Sequence, residues 1–186
     1  MSHPDRGLSP ELVALPRATL AALRQALVRA AGDDAAARLQ EAGYAGGEAV
    51  FEAFERWLAA RSEGRPDELP VGRFEQLASD FFRERGWGTL TVGTLRDAVV
   101  TLDSVDLWED EQAGRGAHGA CDLTVGLLAS FFGRVADQPL SVLQVEYRAA
   151  GDARSRFLLG STEVLDHVYE RLAEGDEIEA AVAGVE

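Results

Sequence analysis

Residues 140–160 read LSVLQVEYRAAGDARSRFLLG, two apolar runs on either side of a glycine and an aspartate. Side chains along a strand alternate between faces, so V-L-Q-V and R-F-L-L each fit a strand of about six residues. Gly151 and Asp152 are turn formers. The spacing predicts a β-hairpin with a connection longer than two residues, and a hairpin commits its sheet to antiparallel pairing. The first strand also carries Gln144, Glu146 and Tyr147 close together, and polar groups in such a strand either face water or converge on something.

Working outward, Gln138-Pro139 ends a helix that runs from about Cys121 to Val135, with Leu123, Leu127, Leu128, Phe131 and Phe132 at helical spacing. Before it, EDEQAGRGAHGA (109–120) reads as an acidic, glycine-rich loop. WGTLTVG and AVVTLDSVDLW alternate at period two and predict a second antiparallel pair. The first third is helical by period. Leu20, Leu23 and Leu27 mark one helix closed by Gly32, and Leu39 marks a short one that Gly43 ends. Tyr44-Ala-Gly-Gly then reads as a turn, and Val50, Phe51, Phe54, Trp57 and Leu58 mark a third helix. A fourth, from Val71, carries Phe74, Leu77, Phe81 and Phe82 and stops at Gly86. After the hairpin, Ser161 or Thr162 caps a helix with Val164, Leu165, Val168 and Leu172. The fold class expected is α+β: several N-terminal helices on one face of a small sheet of about four strands. Residues 1–14 are expected to be a flexible terminus, 15–175 a single domain, and 176–186 an acidic, weakly patterned tail.

With 186 residues, one domain with a substantial core is the default. The net charge of −14, from 32 acidic against 18 basic residues, repels phosphate backbones and argues against a nucleic-acid partner. No stretch is long and apolar enough to span a bilayer. The start has no basic region followed by an apolar run, and the single Cys121 rules out an intrachain disulfide, so a cytoplasmic location is expected.

Few groups can carry chemistry. Gly114 to Gly119 matches G-x-G-x-x-G, but Glu109, Asp110 and Glu111 would set negative charge beside a pyrophosphate, so a flexible loop is the better reading. His118 and Cys121 could supply two ligands to a metal, or the helix start could activate the thiol. Two ligands make no zinc site, and an inert buried cysteine is favoured. The N-terminal helices have no His or Cys to ligate a haem, and no G-x-S-x-G elbow occurs. Asp152 with Glu146 could form a carboxylate pair, although a turn explains Asp152 better. The aromatic residues Phe51, Phe54, Trp57, Phe81, Phe131 and Phe132 fit a filled core or the lining of an apolar pocket, and their spacing does not separate the two.

The run CDLTVGLLASFFGRV (121–135), followed by VLQVEYRAAGDARSRFLLG (142–160), resembles the 4-vinyl reductase domain family, which is related to small subunits of the TRAPP vesicle-tethering complex. EAGYAGG (41–47) and FFRERGWGTL (81–90) fit the same pattern, so the resemblance spans roughly residues 15 to 175. It implies a ligand-binding α+β fold, commonly dimeric, with an apolar pocket between helices and sheet. Some relatives hold a structural zinc through cysteines and a glutamate. Carried over position by position, that set falls on Cys121, Gln144, Tyr147 and Ser155. Only Cys121 is a match, and one thiolate with neutral oxygen donors is too weak and too hard for zinc. Glu146, expected on the same strand face as Gln144, would restore one carboxylate and neither thiolate. The residues read as a degenerate metal site, with Gln144, Tyr147 and Ser155 hydrogen-bonded around the vacated position and no metal or other cofactor expected.

The resemblance points to a free-standing sensory or regulatory domain that binds a small apolar or aromatic ligand in a pocket lined by those six aromatic residues. It would act by binding, not catalysis, and as a homodimer. The alternatives are a tethering or assembly subunit with a protein partner, and an accessory factor of tetrapyrrole vinyl reduction.

Overall fold

The predicted hairpin forms half of a four-stranded antiparallel sheet. In the computed structural model, which describes residues 12–96, 98–112 and 121–183, the strands are β1 (Thr91–Arg96), β2 (Val99–Ser104), β3 (Ser141–Glu146) and β4 (Ser155–Gly160), in the order β1-β2-β4-β3. Two hairpins meet through β2 and β4, where Leu102 lies opposite Phe157 and Asp103 opposite Arg156. Because side chains alternate, Leu102, Phe157 and Leu159 fall on one face and Val99 and Leu158 on the other, and each set joins its own hydrophobic cluster. The chain is therefore α+β, with helices on both faces of the sheet.

On the first face lie α2 (Ala35–Ala59), α3 (Val71–Glu84) and α5 (Asp122–Val135), while α1 (Arg17–Ala31) packs on α2 from outside and buries only Ala21 fully. On the second face, α6 (Thr162–Ala173) supplies Leu165 and Val168. Ser161 caps it by accepting a hydrogen bond from the Val164 amide at 3.3 Å. The acidic stretch after Gly175, expected to be weakly patterned, contains α7 (Ile178–Val182), whose Ala181 and Val182 are fully buried beside Val99 and Leu158. Covering both faces satisfies a sheet whose strands are apolar on both sides.

The N-terminal half departs from the sequence reading at one place. Gly43 does not end a helix and Tyr44-Ala-Gly-Gly is no turn: α2 runs unbroken for 25 residues. The cause is its crossing with α5. A Cβ placed on Gly43 would lie 2.0 Å from the Leu123 carbonyl oxygen, and one on Gly126 would lie 1.9 Å from the Gln40 oxygen. Glycine disfavours a helix interior by about 1 kcal/mol. Here it allows two backbones to touch, and the apolar faces brought together by that approach offset the cost.

The segment after β2 also differs. Its acidic beginning forms a short helix, α4 (Trp108–Gln112), with Glu109 and Asp110 buried instead of an exposed loop. The Gly114–Gly119 stretch and His118 lie outside the described residues, as do residues 1–11, and the described part of the chain has no helix long and apolar enough to cross a membrane. His167 is exposed on α6.

Candidate ligand site and buried polar cluster

Helical spacing on α2 puts Phe51, Phe54 and Trp57 on one side, and the close α2–α5 approach brings Phe51 and Phe54 onto Phe131. Phe81 arrives from α3. All six aromatic residues read from the sequence belong to one cluster. Phe54 lies 5.0 Å from Phe81 and 5.5 Å from Phe131 between ring centroids, Phe51 lies 5.9 Å from Phe131, and Phe131 lies 5.1 Å from Phe132. These are contact distances, many of them edge-to-face, so the rings fill space against one another. Phe74 and Phe82, also read from the helical pattern, join the group from α3, and Trp87 borders it through Phe82. Phe54, Phe81 and Phe131 are fully buried, whereas Phe51 keeps part of its surface.

The cluster has a charged edge. The Trp57 indole Nε1 donates to Glu84 at 2.9 Å, Glu84 also pairs with Arg61 at 3.0 Å, and the Arg61 guanidinium lies 3.7 Å above the Trp57 ring. Arg85 lies at the same distance above Phe81. Stacked guanidiniums of this kind shield ring faces while keeping a positive charge at the surface.

The second grouping answers the question raised by the hairpin. Gln144 and Ser155, on neighbouring strands, face Cys121 at the start of α5, and the buried Asp110 of α4 reaches into the same place. The Ser155 hydroxyl lies 2.8 Å from both Asp110 carboxylate oxygens, to which it donates, and accepts from the Arg148 amide at 3.2 Å and the Gln144 side-chain amide at 3.4 Å. That uses its full hydrogen-bonding capacity. The Cys121 thiol donates to Asp110 at 3.2 Å. Tyr147 stands at the margin, its hydroxyl donating to the Gln144 carbonyl at 2.7 Å and its amide to Asp152 at 2.6 Å. Asp152 thus shapes the turn, as expected of a turn residue.

Glu146 does not share the face of Gln144. A β-bulge between them leaves Gln144 opposite Phe157 and Glu146 opposite Arg156, which turns the Glu146 carboxylate to the other face, 3.0 Å from Arg154 and 3.3 Å from Arg156. The bulge gives an extra residue to one strand, and nothing in the alternation announces it.

Asp110 and Glu109 were hidden in what reads as an acidic loop. Glu109 is fully buried and accepts from the Leu123 and Thr124 amides and the Thr124 hydroxyl at 3.2, 2.9 and 2.7 Å. It caps α5 from outside, where a carboxylate meets free N–H groups and the positive end of the helix. Burial pushes its pKa up, and the Thr124 hydrogen bonds work against that. The sequence signal was the flanking Leu107 and Trp108, both buried, which left no room for a solvated loop.

The residues that the family resemblance aligns with a metal site, Cys121, Gln144, Tyr147 and Ser155, do not fit a zinc ion. Burial, with the negative charges of Asp110 and Glu109, pushes the Cys121 thiol far above its ordinary pKa, so it keeps the proton that a metal-binding thiolate must lose. Asp110 is already engaged by a hydroxyl and a thiol, and the remaining donors are a serine and an amide. The native thiol should not react with a disulfide reagent at pH 8 and should react on unfolding. The unfolded chain ionises near 8.5 while the native thiol does not, so above that pH the native state holds more protons and stability falls as pH rises, by up to ~1.4 kcal/mol per unit. Urea unfolding between pH 8 and 10 checks this, and Cys121→Ala should remove that part of the slope.

No protein-family model and no curated protein matches this sequence. Solved structures do. The phenol-responsive sensory domain of the transcription activator PoxR, solved with phenol, superposes with a TM-score of 0.63 over 89% of this chain and 84% of its own, at 16% identity. A vinyl-4-reductase family protein from Methanocaldococcus jannaschii gives 0.51 over 80% of this chain and 83% of its own, at 12% identity. This chain has the vinyl-4-reductase fold. A trafficking protein particle complex subunit 3 from Naegleria fowleri, covalently bound to palmitic acid, superposes on the same fold at 0.54 over 77% of this chain and 93% of its own, at 11% identity. At these identities, the overall fold is what these proteins share with it.

Proposed function

We propose that the chain is a small-molecule-binding domain of sensory or regulatory type, taking an apolar or aromatic ligand among the rings of α2, α3 and α5 and acting by binding, not catalysis. The observation that carries this reading is the aromatic cluster itself: six rings from three separate helices, gathered beside a partly exposed Phe51. Rings contributed by different helices can part without breaking any backbone hydrogen bond, and an incoming aromatic body replaces ring contacts with ring contacts. The likeness in fold to a domain solved with phenol, and to one carrying palmitic acid, supports the same reading. Cys121, buried and protonated, is not the place for a covalent acyl group in this chain.

The test is thermal. Phenol, indole and decanoate at saturating concentration should raise the melting temperature, by roughly 5–10 °C for a ligand at a hundred times its Kd. Flat curves with all three would sink the proposal.

A second reading, an assembly surface, has its own observation. Leu23 and Val28 of α1 and Tyr44 of α2 are exposed at 59%, 40% and 56%, so they lie on the solvent side of their helices. We place the expected homodimer, or a protein partner, on this side, and Leu23→Glu should shift a dimer toward monomer in analytical ultracentrifugation if the side is an interface.

A further inference from the structure

The charged edge of the aromatic cluster is unevenly matched. Most arginines in this acidic chain have a carboxylate close by. Among the described side chains, the arginines without one within 4.0 Å are Arg29, Arg85 and Arg148, and of these Arg29 and Arg148 are exposed. Arg85 is partly buried. Its guanidinium is stacked on Phe81, its Nε is buried with no hydrogen-bond partner, and its one hydrogen bond is a long one, 3.5 Å, to the Phe81 carbonyl. Burial pushes its pKa down, Glu84 opposes that, and the nearby Arg61 adds to it. Arg61 and Arg85 are thus near enough to feel one another and Glu84, and Glu84 is already taken by Arg61 and by Trp57. A positive charge left half-desolvated and unmatched is costly. On a protein of net charge −14, it is also a local exception that a free anion would find.

We propose that Arg85 is the anion-recognising residue of the ligand site, and that the ligand is a small organic acid: an apolar body lodged against Phe81 and Trp57, with its carboxylate held by the Arg85 fork. The guanidinium is a planar fork that matches a carboxylate, and the parting of the rings that admits the apolar body is also what uncovers the buried Nε. The α3 C-terminus keeps the arginine in place, because its carbonyls favour a cation there. This inference rests on the proposed binding of a ligand at the aromatic cluster, and it adds the ligand's charge.

The shared chemistry could come from an aromatic acid or a fatty acid, so the probes are benzoate and octanoate, each against a neutral partner of like shape, benzamide and octanol. Calorimetric titration of the intact chain should show at least one acid bound about tenfold more tightly than its neutral partner, the effect of one charge-assisted contact. The preference should weaken in high salt. Arg85→Met, which keeps the stem over Phe81, should bring acid and neutral partner to equal affinity, and Arg85→Lys should retain a smaller preference. Circular dichroism of both variants verifies that they fold, and the wild-type acid-to-neutral ratio does not depend on them. If the neutral compounds bind as well as the acids, the cluster is a ligand site and the acid assignment is overturned. If the preference survives Arg85→Met, Arg85 is the wrong residue. If none of the four binds, the ligand-site reading falls and this inference with it.

Discussion

Gly126→Ala should abolish the native fold or leave it several kcal/mol less stable, while Gly46→Ala, in the helix that Gly126 crosses, should stabilise it. Alanine is the better helix former at both positions, by about 1 kcal/mol, so helix propensity alone predicts a gain for each. Space decides otherwise. At Gly126 the new Cβ would sit 1.9 Å from the Gln40 oxygen and 2.9 Å from the Tyr44 amide nitrogen. These are backbone atoms, which cannot rotate away. Relief requires α2 and α5 to move apart by more than an ångström over the region that packs Leu39, Val50, Phe54, Leu127 and Phe131. Overpacking alone costs about 1–3 kcal/mol, and separating the helices adds lost burial at about 25 cal/mol per Å². At Gly46 nothing lies within 4 Å of the added carbon, so only the backbone-entropy gain remains, roughly 0.5–1 kcal/mol. Urea titrations of the two variants beside the parent measure both signs. Equal, small effects at the two sites would contradict the backbone contact described for this crossing.

That crossing marks where the sequence stopped being legible. The sheet could be read because its evidence is local: alternation in V-L-Q-V and R-F-L-L, with Gly151 and Asp152 between them, needs nothing from elsewhere in the chain. The break proposed at Gly43 used the same local logic and failed, since the reason for glycine there is a partner helix some eighty residues away. The candidate site divides in the same way. Gln144, Tyr147 and Ser155 lie within one hairpin, and Cys121 starts the helix before it, so a family pattern could link them. Asp110 could not be linked, because an aspartate in E-D-E looks solvated until Leu107 and Trp108 on one side and α5 on the other bury it. The bulge that sends Glu146 to the opposite face is equally silent, since one additional residue leaves no compositional trace. The aromatic cluster was legible as a set, from helical period on three segments. Whether its rings part for a ligand is a question of free energy that periodicity does not address.

Phe131→Ala puts that question to measurement. Phe131 is fully buried and is the hub of the cluster, with ring centroids of Phe51, Phe54, Phe81, Phe82 and Phe132 all within 6.4 Å. Truncating it removes the transfer free energy of a whole ring, several edge-to-face contacts and the support of five neighbours, an expected loss of roughly 3–5 kcal/mol. Phe51→Ala should cost clearly less, because Phe51 is only partly buried and Phe131 is its sole ring partner among the described residues. The space left by Phe131 is apolar on every side shown by these contacts, and such cavities stay dry and admit benzene-sized molecules. Benzene or phenol should therefore return part of the lost stability, by RT ln(1 + [L]/Kd). The comparison with the parent is what discriminates. If the parent responds to phenol as well, its rings already part for a ligand and Phe131 borders a working site. If only the variant responds, the native cluster is a filled core, and the function of this fold in this chain must be sought on its outer surface, beginning with the exposed side of α1.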